Sequence, residues 1–164
     1  MPSPEATQLA EMVRRQADAF KEACKGLSEA DAAKAPEGRW SPKQIISHLL
    51  GPEGIGNMTV LQGFLDKETP RFDMEPENPF FSEKRAGMTL AALLAEFEKE
   101  FGRIEKFAAG LTAEQLARKA QIPMLKDTPL GEYPTLADWI AGLSDWHLGF
   151  HTDHLKEIRK ALGV

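Results

Sequence analysis

Residues 145–158 read DWHLGFHTDHLKEI and contain three of the four histidines in the chain, His147, His151 and His154. Because an α-helix turns by about 100° per residue, steps of four and three residues would place the three imidazoles within roughly 60° of one another. Apolar residues such as Leu143 fall in the same sector, and charged residues fall on the opposite side. The segment is therefore predicted to be an amphipathic helix whose histidines face the protein interior.

This helix is one of four long amphipathic segments. Apolar residues at three- and four-residue steps predict helices at residues 5–25 and 89–109, and the last helix should run from a capping Thr135 to about Leu162. No segment shows the alternation of a half-buried strand, and no repeat is present. An all-α four-helix bundle follows, and 164 residues suit a single domain over residues 1–164.

The remaining helix begins at SPKQIISHLL, residues 41–50. Ser41 is a suitable N-cap, Pro42 fits the first helical position, and Gln44 stands where a capping-box partner belongs. The helix is expected to continue to about residue 67, with a kink or interruption at the glycine-rich GPEGIG of residues 51–56. The Pro-rich stretch ETPRFDMEPENPFF, residues 68–81, is longer than a usual connection and indicates a lid or a binding loop.

Composition excludes several classes of protein. Twenty Lys and Arg residues against 25 Asp and Glu residues give a net charge of −5, so no basic surface for nucleic acid is expected. No apolar run is long enough to cross a membrane, and the first residues lack the apolar core of a secretory signal. The lone Cys24 cannot form an internal disulfide, which favours a cytoplasmic protein, and its place on an apolar stripe favours an inert, buried thiol.

The histidine face admits two interpretations. Each imidazole could be a core residue satisfied by one hydrogen-bond donor and one acceptor. Three such side chains in eight residues compete for the same partners, however, and a divalent ion resolves the competition by accepting several imidazole lone pairs. The fourth histidine, His48, is also predicted to face inward from the second helix, beside Ile45. The four histidines together therefore favour a metal site, to which Glu53 is near enough in sequence to add a carboxylate.

Two segments resemble the DinB-like (DinB/YfiT) family of helical bundles. WSPKQIISHLL, residues 40–50, is similar to the family segment W-S-x-x-x-h-h-x-H-L, in which h is apolar. PTLADWIAGLSDWHLGFHTDHLKEI, residues 134–158, is similar to T-L-x-x-h-h followed by H-x-x-x-H-x-x-Q-h. The resemblance implies metal ligation by His48, His147 and His151, with His154 in the place of the family Gln. A register that pairs His151 with His154 also aligns and stays open.

The resemblance also carries expectations about function. It implies a metal-dependent enzyme acting on a small molecule, with thiol-dependent S-transfer first and hydrolysis second, and a low-molecular-weight thiol as cosubstrate. Zinc and nickel both suit imidazole ligands. His154 is the candidate catalytic side chain. The alternative is a metal-free bundle that binds a small ligand or serves as a dimerisation module.

Aromatic and apolar residues outside the histidine face carry three further expectations. The counterpart of Trp40 in the family packs near the site. Trp146 is expected to pack within the last helix. A homodimer is expected from the family and from a surplus of apolar residues that includes Leu61 and Phe64.

Overall fold

The sequence folds into helices joined by turns and irregular segments. The computed structural model describes residues 1–164 and contains no β-strand, only two isolated bridges. The helical elements are α1 (Pro4–Cys24), α2 (Glu29–Ala32), α3 (Pro42–Leu50), α4 (Met58–Asp66), α5 (Glu83–Ala86), α6 (Leu90–Ala109), α7 (Ala113–Leu116), a 3₁₀ turn (Pro123–Leu125), α8 (Leu136–Ala141), a π-helical segment (Gly142–Leu148) and α9 (Gly149–Leu162).

Side-chain caps start the helices where the sequence predicts them. The Ser41 hydroxyl accepts from the backbone N–H of Gln44, and the Gln44 side chain accepts from the backbone N–H of Ser41 at 2.7 Å. Thr135 forms the same reciprocal pair with Asp138 at the start of α8. Because these bonds satisfy amide groups that lack a partner within the helix, they define where each helix begins.

Glycines interrupt the second long segment, as predicted. α3 ends at Gly51, and the chain reaches α4 through a short turn in which Gly51, Gly54 and Gly56 all have positive φ angles. Residues with a Cβ rarely adopt this conformation, so glycine is required for the turn. The break leaves His48 in the last turn of α3.

The four-helix bundle prediction is confirmed. α1 packs against α6 and against the helix formed by α8, the π-helical segment and α9, while α3 packs against α6 and α9. One apolar core of 32 residues fills the space between them. Phe97 lies at its centre, with its ring centroid 4.9 Å from that of Phe20 and 4.5 Å from that of Phe101. Burying one such ring stabilises the fold by about 1.5–3 kcal/mol.

The last helix runs without a break from Leu136 to Leu162, but it is not uniform. Residues Gly142–Leu148 form π-helical turns, in which each N–H bonds to the carbonyl five residues earlier. The sequence predicted a regular α-helix with about 100° of turn per residue, and this prediction is wrong within the π-helical segment. His147 lies in the π-helical segment, whereas His151 and His154 lie in α9.

Two expectations about apolar residues are wrong. Trp146 is not a buried packing residue of the last helix, because it is 70% exposed. Leu61 and Phe64 are fully buried in the core and supply no apolar surplus at the surface. Trp146 and Phe150 instead form an exposed aromatic pair, whose rings stack with centroids 5.9 Å apart. None of the helices combines the length and apolar character needed to cross a membrane.

Candidate metal centre

His48 is held by a loop on one side and faces another histidine on the other. Its Nδ1 atom lies 2.7 Å from the carbonyl oxygen of Asn78. A carbonyl oxygen can only accept, so Nδ1 carries the proton and Nε2 keeps its lone pair. That Nε2 atom lies 3.0 Å from Nε2 of His147, 99 residues further along the chain. The Nε2 lone pair of His48, on α3, therefore points towards the last helix.

Three of the four histidines converge. One ring nitrogen from each of His48, His147 and His151 lies within 4.8 Å of the other two, and no carboxylate belongs to the group. A tetrahedral ion with metal–nitrogen distances of about 2.0–2.1 Å separates its ligand nitrogens by about 3.3 Å. The observed spacing fits this geometry after small side-chain rotations. The predicted ligand residues are therefore brought together, and His154 lies outside the group.

His154 contacts the cluster through one member. Its Nδ1 atom lies 3.2 Å from Nδ1 of His151. The side chain is partly exposed, and burial is the main cause that lowers its pKa, with Arg39 acting in the same direction and Glu157 against it. Arg39 and Glu157 themselves form an ion pair at 3.4 Å.

The cluster is electrically neutral at physiological pH. Burial is the largest cause that lowers the pKa of His48, and it lowers the pKa of His147 to about 4 with help from repulsion by His48. Burial followed by repulsion from its neighbours lowers the pKa of His151 to about 2. Neutral imidazoles offer the lone pairs that a cation needs, because metal binding requires deprotonated ligands. The donor set therefore fits a divalent ion.

Aromatic rings enclose the cluster, as expected for Trp40. The Trp40 ring centroid lies 5.1 Å from that of His48, and the ring is nearly parallel to His151 at 6.2 Å. The Phe80 ring is parallel to that of His48, with ring centroids 6.3 Å apart. Such walls limit the access of water and strengthen electrostatic interactions inside the site.

The long loop at residues 68–81 supplies two parts of the site that the sequence did not single out. Asn78 provides the carbonyl bonded to His48, and Phe80 provides the stacked ring. The length and Pro-rich composition of the loop indicated a functional segment, but nothing in them distinguished these two residues. Glu53 does not join the cluster; its carboxylate is exposed and accepts from the Ser82 hydroxyl at 2.8 Å.

Cys24 plays no part in this chemistry. It is buried in α1, and burial raises the pKa of its thiol to about 12. A thiol with such a pKa is almost entirely protonated at neutral pH and is a poor nucleophile. The predicted burial of Cys24 is confirmed, and its raised pKa supports the interpretation of an inert thiol.

The arrangement of the helices is that of a four-helix bundle. Its cluster of three uncharged histidines is able to hold one metal ion, and these two features together define the class of protein. The chain belongs to the DinB superfamily, whose family model matches residues 12–155. It is also similar to the solved structure of YfiT from Bacillus subtilis, with 22% identity, a TM-score of 0.73, and coverage of 99% of this chain and 91% of that one. YfiT is described as a probable metal-dependent hydrolase with an unusual four-helix bundle topology. No curated protein matches the chain.

Proposed function

We propose that this chain is a metal-dependent enzyme in which His48, His147 and His151 bind one divalent cation. The observation that carries the proposal is the approach of His48 Nε2 to His147 Nε2 at 3.0 Å, within a largely buried group that contains His151 and no acidic side chain. Two nitrogens at this distance need either one shared proton or one shared cation. Zinc and nickel both accept imidazole ligands, and availability decides between them.

The proposed reaction is hydrolysis of a small-molecule substrate. Three protein ligands leave a position open, and a divalent cation held in this way lowers the pKa of a bound water and polarises a substrate oxygen. The description of YfiT, whose fold this chain shares, supports this choice.

The side chains around the cluster have separate tasks in this proposal. The Asn78 carbonyl keeps the proton of His48 on Nδ1, so that Nε2 is the ligand atom. With Nε2 of His151 as ligand atom, Nδ1–H of His151 donates to Nδ1 of His154, 3.2 Å away, and this contact fixes the tautomer of a second ligand. The remaining N–H of His154, on Nε2, is then available to donate to a substrate. Trp40 and Phe80 shield the cluster from bulk water.

Thiol-dependent S-transfer is the second candidate reaction. Cys24 cannot supply the nucleophile for this reaction, because burial raises the pKa of its thiol to about 12. A transfer reaction would therefore need a low-molecular-weight thiol as cosubstrate. The same open position would serve, since a cation that lowers the pKa of bound water also favours a bound thiolate.

Metal content and activity test the proposal together. Protein purified without an affinity tag should contain close to one equivalent of zinc or nickel by elemental analysis, and His147→Ala should contain almost none. The loaded protein should cleave members of an ester and amide panel without added thiol. Activity that appears only with a low-molecular-weight thiol would select S-transfer. Less than about a tenth of an equivalent of metal, both as purified and after incubation with zinc or nickel, would contradict both reactions and leave the ligand-binding or dimerisation module.

A further inference from the structure

Arg85 is a buried arginine whose hydrogen-bond partners include no carboxylate. It lies in α5 with only 8% of its surface exposed. Its Nη1 atom shares two hydrogens among four oxygens: the carbonyl oxygen of Gly51 at 2.6 Å, the carbonyl and hydroxyl oxygens of Ser47 at 3.1 and 3.2 Å, and the carbonyl oxygen of Phe80 at 3.3 Å. Burying a charge is costly unless the charge is both paired with an opposite charge and hydrogen-bonded. Arg85 has the hydrogen bonds but no ion-pair partner, so its position requires an explanation.

The partners on one side belong to the end of the helix that carries His48. The carbonyl groups of Ser47 and Gly51 flank His48 in the chain, at the C-terminal end of α3. The last carbonyl groups of a helix have no partner within it and carry partial negative charge. The Arg85 guanidinium satisfies them and thereby fixes the final turn, from which the His48 side chain extends.

The partner on the other side is a strained residue of the loop. Phe80 has a φ angle of +51°, which is rare for a bulky residue and persists only where the surroundings enforce it. Its carbonyl oxygen accepts from Arg85 and, at 3.0 Å, from the Ser47 hydroxyl. Its N–H donates to the side chain of Asn78 at 2.7 Å. Arg85 therefore holds Phe80, and Phe80 holds Asn78.

The two sides meet at His48, because the Asn78 carbonyl accepts the proton of His48 Nδ1. We propose that Arg85 is a positioning residue for the metal centre: it clamps the loop against the end of α3 so that His48 keeps its Nδ1–H tautomer and presents Nε2 to His147. The metal part of this inference rests on the proposed function, and the tautomer part does not.

The test compares Arg85→Met with a matched control, Arg159→Met. Arg159 makes the same kind of contact elsewhere, donating from Nη1 to the carbonyl oxygens of Ala23 and Lys25 at the end of α1. Both variants lose an arginine that caps a helix C-terminus, but only Arg85 connects to the cluster. The first measurement is the tautomer of His48 in the metal-free protein, from the ¹⁵N shifts of its imidazole. The second is zinc affinity by competition with a chelator.

We expect the wild type and Arg159→Met to show a single Nδ1–H tautomer at His48 and the same zinc affinity. Arg85→Met should show a mixture of tautomers and bind zinc about 10–100-fold more weakly, as is typical when a partner behind a ligand is removed. Arg85→Lys, which keeps the charge and most of the volume, should shift both readouts in the same direction by less, and it decides the matter if Arg85→Met does not fold.

An unchanged His48 tautomer in the folded Arg85 variant would overturn the inference. So would equal losses of zinc affinity in the Arg85 and Arg159 variants, because these would show a general effect of stability. Failure of the wild type to bind zinc or nickel would overturn the proposed function instead, and the tautomer measurement would still decide the role of Arg85.

Discussion

The Nδ1 atoms of His151 and His154 lie 3.2 Å apart, close enough for one to donate a hydrogen bond to the other. If Nε2 of His151 binds a cation, Nδ1 of His151 must carry the proton and donate a hydrogen bond, which Nδ1 of His154 accepts. His154 is then neutral, with its own proton on Nε2. The contact thus connects the tautomers of a proposed ligand and of the neighbouring side chain.

A pair of substitutions at His154 tests this connection. His154→Gln keeps a group that can accept from His151, so it should retain zinc within a few-fold of the wild type while changing turnover. His154→Leu has no acceptor and should weaken zinc binding by about 10-fold or more. Zinc titration of both variants measures the difference. Equal affinities for the Gln and Leu variants would remove His154 from this role.

Substitution of the proposed ligands tests which register is correct. His48→Ala, His147→Ala and His151→Ala should each lose most of the zinc affinity, because each removes one of the three converging nitrogens. Elemental analysis after dialysis measures the retained metal. If His154→Gln lost the metal and His147→Ala kept it, the site would lie one turn later on the last helix.

The architecture could be predicted from sequence because its determinants are local. Apolar spacing and capping residues such as Ser41 and Thr135 act within one or two turns of helix, and each could be identified without knowledge of the rest of the fold. The inward direction of His48 and His151 follows from the same periodicity, whereas His147 joins them from the π-helical segment. The π-helical segment could not be anticipated in this way, although Gly142 and Gly149 inside a helical pattern indicate a departure from regularity.

The partners of the cluster were beyond sequence reasoning for a different reason. Asn78 and Phe80 contact His48, and Arg85 contacts the neighbouring Ser47, in each case from a segment more than 25 residues away in the chain. Such contacts depend on how a loop without periodicity folds back over α3, and no local pattern specifies that path. Arg85 in particular reads as one charged residue in a polar stretch, and only its burial identifies it.

A two-fold homodimer remains a prediction from the family resemblance. Light scattering should give twice the 18.2 kDa of the chain, and the value should persist on dilution into the low micromolar range. Metal-free and zinc-loaded protein should be measured side by side, since the site is built within one chain and is not expected to need the partner. A strict monomer at high concentration would contradict the prediction.

The close approach of Gly56 to the Glu100 carboxylate predicts that a substitution at Gly56 lowers the stability of the fold. Glu100 is buried in α6, and its Oε2 atom accepts from the backbone N–H of Asn57, which caps the start of α4 in place of a local side chain. A Cβ at Gly56 would collide with that carboxylate. Gly56→Ala should therefore destabilise the fold by more than the strain of its positive φ angle alone.

Gly54→Ala is the control for this effect. Gly54 also has a positive φ angle, and a Cβ there would meet no atom within 4 Å. Urea unfolding should show that Gly56→Ala loses more stability than Gly54→Ala, by about 1–3 kcal/mol for the displaced cap. Equal losses would mean that only backbone strain is involved.

The stability of the metal-free protein should fall as the pH falls below 7. Burial is the main cause that lowers the pKa of His147 to about 4 and of His151 to about 2, against about 6.5 for a histidine in the unfolded chain. Between these values the unfolded state binds more protons than the folded state, so acid favours unfolding. Each histidine contributes at most about 1.4 kcal/mol per pH unit, and the contribution of His147 is complete near pH 4.

Urea midpoints of chelator-treated protein between pH 7 and pH 5 measure this dependence. The wild-type midpoint should decline steadily, and the decline should be shallower in His147→Gln, because glutamine does not titrate. A midpoint that stays constant over this range would show that the histidines are not held neutral by the fold. Added zinc should raise the midpoint at pH 7, and the gain should shrink towards pH 5, because protons compete with the cation for the same lone pairs.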